Sequence, residues 1–343
     1  MLKIIKKYKK LLISVSFVYI YLLIILLAPS KHVAITPGEI NNVDDMYVIE
    51  GIDFDSNFNV VSVYSWQEIS VFQKWLINNN SRFDLRPQSD YEQTLSRMEL
   101  NLQGRISNDS SHNNAVITAY EHANMKDNSI KINYNLSSLT VYATNNLELN
   151  IGDEIVKINN TTINDKSYQT YLEKFDLYNE TSNNRFNAKG LSLTILRNEE
   201  ELTINVLNDD VVIFYPKYEI VSTTPNYEGL REKINRGGPS GGMIQALAIY
   251  SSLLNINYDE NLKVAGTGTI DTNLGFTVGR IGGIVQKYYT VKDNKIDVFI
   301  IPTSHYSEIR DIIKENDKVN VVTVDDFSDL ITKFTLKYGD LND

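Results

Sequence analysis

Residues 11 to 30, LLISVSFVYIYLLIILLAPS, form an uncharged run directly behind the ten residues MLKIIKKYKK, which carry five lysines and no acid. Twenty helical residues at 1.5 Å each cover the roughly 30 Å hydrocarbon core of a bilayer, whereas the apolar part of a cleavable signal peptide usually has about 7–15 residues. The run reads as an uncleaved signal anchor rather than a cleaved signal or a buried core helix. The lysines before it keep residues 1–10 as a cytoplasmic basic tail and send everything after Lys31 across the membrane. The expectation is a single-pass protein of the cell membrane whose bulk lies outside the cytoplasm. Removing the basic tail leaves that bulk at a formal charge of -15, against -10 for the whole chain. An acidic ectodomain gives no electrostatic support for nucleic-acid binding, so peptides or small molecules are the expected partners.

The 343 residues contain no cysteine. Disulfides, thiolate metal sites and cysteine nucleophiles are therefore excluded. The four histidines, His32, His112, His122 and His305, show neither i, i+4 ligand spacing nor an HExxH string. No metal site and no cofactor are expected.

Beyond the anchor, residues 31–127 read as a mixed α/β region. MYVIEGI and FNVVSVYSW are strand-like, WQEISVFQKWLINNN is helical, and two further helices are expected over Leu95–Asn108 and Asn114–Met125. Ala115, Ala119 and Ala123 share one face of the last. Residues 128–207 read as a β-rich domain of five short strands, IKINY, LTVYA, DEIVKI, LSLTIL and ELTINV, with one helix over KSYQTYLEKF and a turn at Arg197 to Glu199. Its string LELNIGDEIVKINNTTI resembles the PDZ domain, with Gly152 and Asp153 in the turn and Ile155, Val156 and Ile158 in the core. That resemblance implies capture of an extended peptide at a sheet edge. The chain lacks the GLGF-like carboxylate loop, and a β-sandwich that binds nothing is the alternative.

Residues 208–343 differ in composition. Ten of the seventeen glycines fall between Gly237 and Gly283, followed by strand DVFIIP, helix HYSEIRDIIKEN, strand VNVVTV and helix DDFSDLITKFTLKY, with Asp325 or Asp326 as N-cap. The fold class expected overall is a multidomain α+β and α/β chain. In INRGGPSGGMIQALAIYSSLL a serine sits between two glycine pairs, with a buried helix expected to begin at Ser240. A hydroxyl there would lie among unpaired amides, where an oxyanion formed in acyl transfer is stabilised. The plainer alternative is that Ser240 is only an N-cap. A phosphate loop is excluded because Gly242 is followed by Met243 rather than Lys and a second hydroxyl residue.

Downstream, KVAGTGTIDTNLGFTVGRIGGIVQKYYTVKDNKIDVFIIP presents Lys287 beside Ile281, Ile284 and Val285. Together the two strings resemble the Ser-Lys proteolytic domain of the Lon family. Within it they are similar to bacterial membrane-anchored proteins that join one transmembrane helix, a PDZ domain and a Lon-like protease domain without an ATPase. The resemblance implies Ser240 as nucleophile, Lys287 as general base, and Thr267 as the threonine hydrogen-bonded to that lysine. Gly237, Gly238, Pro239 and Gly241 form the loop around the nucleophile. Departures are Gly241 in place of alanine, Arg280 where proline often precedes IGG, and a turn at Thr272 to Phe276 about two residues longer.

The chemistry agrees with that reading. A serine needs a base, neither string holds a histidine, and lysine serves when burial lowers its pKa from about 10.4. A solvated helix lysine is the bland alternative for Lys287, and Asp271 reads as structural. The implied activity is ATP-independent serine endopeptidase cleavage of peptides or unfolded protein segments through an acyl-enzyme. The rival is a non-catalytic membrane-anchored scaffold that binds peptides. A signal-peptidase-like hydrolase would carry its serine just after the span. Oligomeric state and substrate stay open.

Overall fold

The structure, a computed structural model, describes residues 7–54, 57–175, 185–187, 190–207, 210–231, 238–315 and 317–340. Gly237 and the first six residues of the basic tail lie outside these. The first helix, α1 (Lys9–Leu27), buries none of its side chains and is long and apolar enough to cross a membrane, as an anchor or as a signal sequence. It ends ahead of Pro29, where Ala28 has turned to extended backbone, as a residue preceding proline prefers.

A six-stranded sheet organises the domain that carries the candidate site. Its strand order is Asn320–Val324, Val298–Pro302, Val264–Gly266, Phe58–Trp66, His32–Asn42 and Asp84–Pro87. The first four strands run parallel to their neighbours and the last two pair antiparallel. Side-chain alternation gives the sheet two buried faces. Phe58, Val60, Val264, Val298 and Ile300 enter one core, while Val61, Ala265, Phe299 and Ile301 enter the other.

Four more helices matter. Helix α2 (Val71–Ile77) follows a capping box made by Ser70 and Gln73, which sets its start well inside the helical stretch expected from Trp66 onward. Helices α3 (Arg97–Asn124) and α4 (Gly242–Leu253) cover the first face, and α5 (Ile284–Asp293) covers the second. Two helices were expected where α3 runs unbroken. Residues 107–114 look like a break because serine and asparagine side chains compete for backbone partners. Here Ser110 donates instead to the Pro216 carbonyl, Ser111 to that of Pro239, Asn113 to that of Tyr218 and Asn114 to that of Ile270. Ala115, Ala119 and Ala123 are fully buried on one face, as their spacing predicts.

Along the chain, between α3 and α4, a second, antiparallel sheet forms: Glu200–Val206, Leu191–Arg197, Glu154–Ile158, Lys131–Thr144, Val211–Thr224 and Arg185–Asn187. The segments IKINY and LTVYA, expected as two strands, form one 14-residue strand. It pairs with the 14-residue strand Val211–Thr224, from Lys131↔Thr224 to Thr144↔Val212. The β-rich unit thus extends to residue 224, and residues 32–66 and 264–324 share one sheet although some 200 residues separate them. Gly152 has φ +95, and a Cβ there would come 3.2 Å from Leu102. Asp153 is buried and paired with Arg197 through two short hydrogen bonds. Ile155 and Ile158 are fully buried, but Val156 is only half-buried, because alternation and a register shift between Ile155 and Lys157 aim it away from the core. The turn expected at Arg197 to Glu199 is a two-residue loop, Asn198 and Glu199, both at positive φ, with Arg197 already paired to Glu200.

In the C-terminal segment, the helix expected over HYSEIRDIIKEN is a short 3-10 turn and the single turn Tyr306–Ile309. Asp326, rather than Asp325, caps the last helical stretch by accepting from the Asp329 amide at 2.8 Å.

Candidate active site

Ser240 sits in the turn ahead of α4, not in its first turn as expected. The helix begins at Gly242 because the Ser240 carbonyl is engaged outside it, accepting from the Gly268 amide at 2.8 Å and from Thr267 Oγ1 at 3.0 Å. The Met243 amide in turn donates to the Gly268 carbonyl at 3.1 Å. Helix and strand end are thereby locked together at the Ser240 turn.

Close approach explains several glycines. Gly238 has φ +112, and its amide donates to the Gly104 carbonyl of α3 at 3.2 Å. A Cβ on Gly242 would lie 2.7 Å from Ser111 Oγ, the group that holds the Pro239 carbonyl at 3.0 Å. At Gly241, the position where alanine is usual, a Cβ would meet Val60 at 3.0 Å, so the smaller residue suits the approach of this strand.

Lys287 lies one turn into α5. Its helix is entered through Gly283, whose φ of +68 requires glycine-like freedom and whose carbonyl accepts from the Lys287 amide at 2.9 Å. Ile284 is buried below the lysine's turn, with Ile281 and Val285 packed against the same core. The side chain is 1% exposed, and burial pushes its pKa down from 10.5 to about 7. Lys287 Nζ stands 2.7 Å from Ser240 Oγ and 2.7 Å from Thr267 Oγ1.

Proton positions follow from these partners. Thr267 has one hydroxyl hydrogen, and it goes to the Ser240 carbonyl. Thr267 Oγ1 therefore accepts from a Lys287 N–H. In the neutral amine this leaves the nitrogen lone pair free to face the Ser240 hydroxyl. Thr267 is fully buried, so water does not compete for it.

None of the four histidines bonds to Ser240. His112, bonded to Tyr47, is pushed down to about 4 by burial, and burial also lowers His122. His32 bonds to the Ser30 carbonyl and Lys74. His305 Nε2 accepts from the Ile281 amide at 2.8 Å, behind the loop that leads to Lys287. Asp271 accepts from Tyr168 of the β-rich unit at 2.9 Å, and burial raises its pKa. It ties the two units together rather than touching Ser240.

Beside the Ser240 turn opens a cleft of about 1360 Å³, bounded by Gly238, Pro239 and Gly104 and, across it, by Tyr142, Val211 and Ile213 of the second sheet. The mixed α/β region of residues 31–127 carries no candidate site residue in the sequence, yet its Val60, Gly104 and Ser111 shape the turn. The signal was the run of small polar residues in α3, which makes sense only once their tertiary partners are known.

A serine hydroxyl against a buried amine, beside an open cleft, has the outline of a serine peptidase site. Residues 229–337 match the family model of the Lon protease (S16) C-terminal proteolytic domain, and this stretch contains Ser240, Thr267 and Lys287. The chain thus carries a Lon-type proteolytic domain, which supports a serine peptidase. No curated protein matches the chain.

Proposed function

We propose that the protein is an ATP-independent serine endopeptidase, held by α1 at the outer face of the cytoplasmic membrane, that cleaves peptides or unfolded segments with a Ser240–Lys287 dyad. The observation that carries this reading is the 2.7 Å approach of a fully desolvated Lys287 Nζ to Ser240 Oγ. Neutral Lys287 takes the Ser240 proton as Oγ attacks the scissile carbonyl. The oxyanion is received by the Ser240 and Gly241 amides of the turn, since Pro239 has no N–H and the Gly238 amide is held by Gly104, and one such donor is typically worth about 10²–10³ in rate. Lys287 then returns the proton to the leaving amine, and accepts another from the water that hydrolyses the acyl-enzyme. Thr267 is a positioning residue, since it orients the amine without touching the reacting carbonyl.

The β-rich unit, which we read as PDZ-like, forms one wall of the cleft and presents substrate to Ser240. Nothing in the dyad's steps calls for a nucleotide, and the sequence has no phosphate loop.

A fluorophosphonate or β-lactone probe tests the reading on the purified full chain. Labelling at Ser240 that is lost in Ser240→Ala and strongly slowed in Lys287→Met is expected. An unlabelled wild type that still binds unfolded peptides would replace the peptidase by a non-catalytic scaffold.

A further inference from the structure

The chain leaving α1 does not run free into the folded domain. Ala28 to Ser30 zips against Ile69 to Val71: the Ser30 amide and hydroxyl both donate to the Ile69 carbonyl, at 2.9 and 2.8 Å, and the Val71 amide donates to the Ala28 carbonyl at 2.9 Å. Val71 is the first residue of α2, so this helix starts within a hydrogen bond of the point where the apolar span ends.

Helix α2 reads VFQKWLI. Val71, Phe72, Trp75 and Leu76 fall at i, i+1, i+4 and i+5 and so share one face, with the rings of Phe72 and Trp75 stacked at 6.0 Å. Most of that face is turned away from the protein: Trp75 is 72% exposed, Leu76 57% and Val71 43%, with Phe72 half-buried at its edge. Lys74 is directed back toward the body, 2.8 Å from His32 Nε2. A row of large apolar side chains is thus held outward by a polar tether and a capping box.

The distances place this face. At 1.5 Å per residue, the nineteen residues of α1 extend about 28 Å, close to the roughly 30 Å hydrocarbon core, so Ala28 emerges at its boundary. A seven-residue helix is only about 10 Å long, so all of α2 stays within reach of the headgroup layer, where tryptophan is enriched. We infer that α2 is a second membrane contact, its Val71–Phe72–Trp75–Leu76 face seated in the interfacial layer of the outer leaflet beside α1. The inference rests on α1 being a retained membrane anchor. Two contacts fix the rotation of the domain about the anchor, which a single span does not, and so set the height and direction of the cleft above the lipid.

Trp66 and Trp75 are the two tryptophans of the chain. In full-length Trp66→Phe, reconstituted in phosphatidylcholine vesicles, Trp75 is the sole tryptophan reporter. Its emission should be blue-shifted and should fall by about half with lipids brominated near the headgroup, and less with bromines at the bilayer centre. The reciprocal Trp75→Phe chain controls for Trp66. Protein that floats with the vesicles while Trp75 emits as in water, unquenched at either depth, overturns the inference and leaves the anchor intact. Protein that does not float overturns the anchor reading and this contact with it.

Discussion

Lys287 is held where its charge is unwelcome, and replacing it with methionine should expose the cost. The unfolded chain keeps this proton up to the ordinary lysine value of 10.5, whereas in the folded protein burial lowers the pKa to about 7. Between those values the unfolded state binds the extra proton, so wild-type stability rises with pH; below about 7 the full destabilisation applies, and near 10.5 it is gone. A displacement of that size corresponds to about 4 kcal/mol at neutral pH, with no discount for solvent since the group is buried. Lys287→Met keeps most of the volume and removes the ionisation. It also removes the bonds to Ser240 and Thr267, but that loss is independent of pH. Thermal unfolding of wild type and variant should be followed side by side from about pH 6 to pH 10. The variant's midpoint should gain roughly 5–10 °C relative to wild type at the acid end compared with the alkaline end. A difference between the two midpoints that does not change with pH would refute the claim that burial neutralises this lysine.

Ser240→Ala and Lys287→Ala should each abolish peptide cleavage in a fluorogenic assay, and the double variant should be no worse, because nucleophile and base act as one unit. For wild type, kcat/KM toward an ester substrate should rise with pH to a plateau with a midpoint near the Lys287 value of about 7. Thr267→Val should lower that plateau roughly 10–100-fold, by removing an acceptor from a buried amine, and move the midpoint to lower pH, since the lost oxygen stabilised the ammonium. A limb that instead vanishes on replacing His112, His122 or His305 would transfer the base role to histidine. Gly266→Ala should impair activity and stability together, as its Cβ would lie 2.9 Å from Ile244 of α4; calorimetry and turnover on one sample check this, and an unperturbed variant would show that α4 has slack. In wall-stripped cells, added protease should reach an epitope placed after residue 31 and spare one at Met1, and the reverse pattern would invert the topology.

The three side chains brought together at the candidate site could be singled out because each lies in a short string that carries the family resemblance: glycine pairs around Ser240, AGTGTID around Thr267, and IGG ahead of Lys287. Their convergence within hydrogen-bond distance is a product of packing. What local pattern could not convey was partnership. Alternation marks Phe58–Trp66 as a strand, yet nothing in it says that Val60 will touch the Ser240 turn or that Phe58 pairs with Val264. In α3 the polar run from Ser107 to Asn114 argues against a helix until its partners on Pro216, Pro239, Tyr218 and Ile270 are counted. The span of α1 was readable to within three residues, since length and charge decide it; the zipper to Ile69 was not, since it is a contact across 39 positions.

The pairing of Phe58–Val60 with Val264–Gly266 has a consequence for biogenesis. A chain synthesised from its N-terminus presents its first strands long before their central neighbours arrive; at about 5–20 residues per second, 200 residues take some 10–40 s. Meanwhile His32–Asn42 and Phe58–Trp66 have each other and Asp84–Pro87, but the edge that must receive Val264–Gly266 stays open, and such edges invite wrong partners. The same delay is a safeguard. The turn that cradles Ser240 needs Val60 from one part of the chain and Gly268 from another some 200 residues later, so an incomplete polypeptide carries no formed Ser240 turn. Arrival of the last strands would serve as the switch that licenses activity.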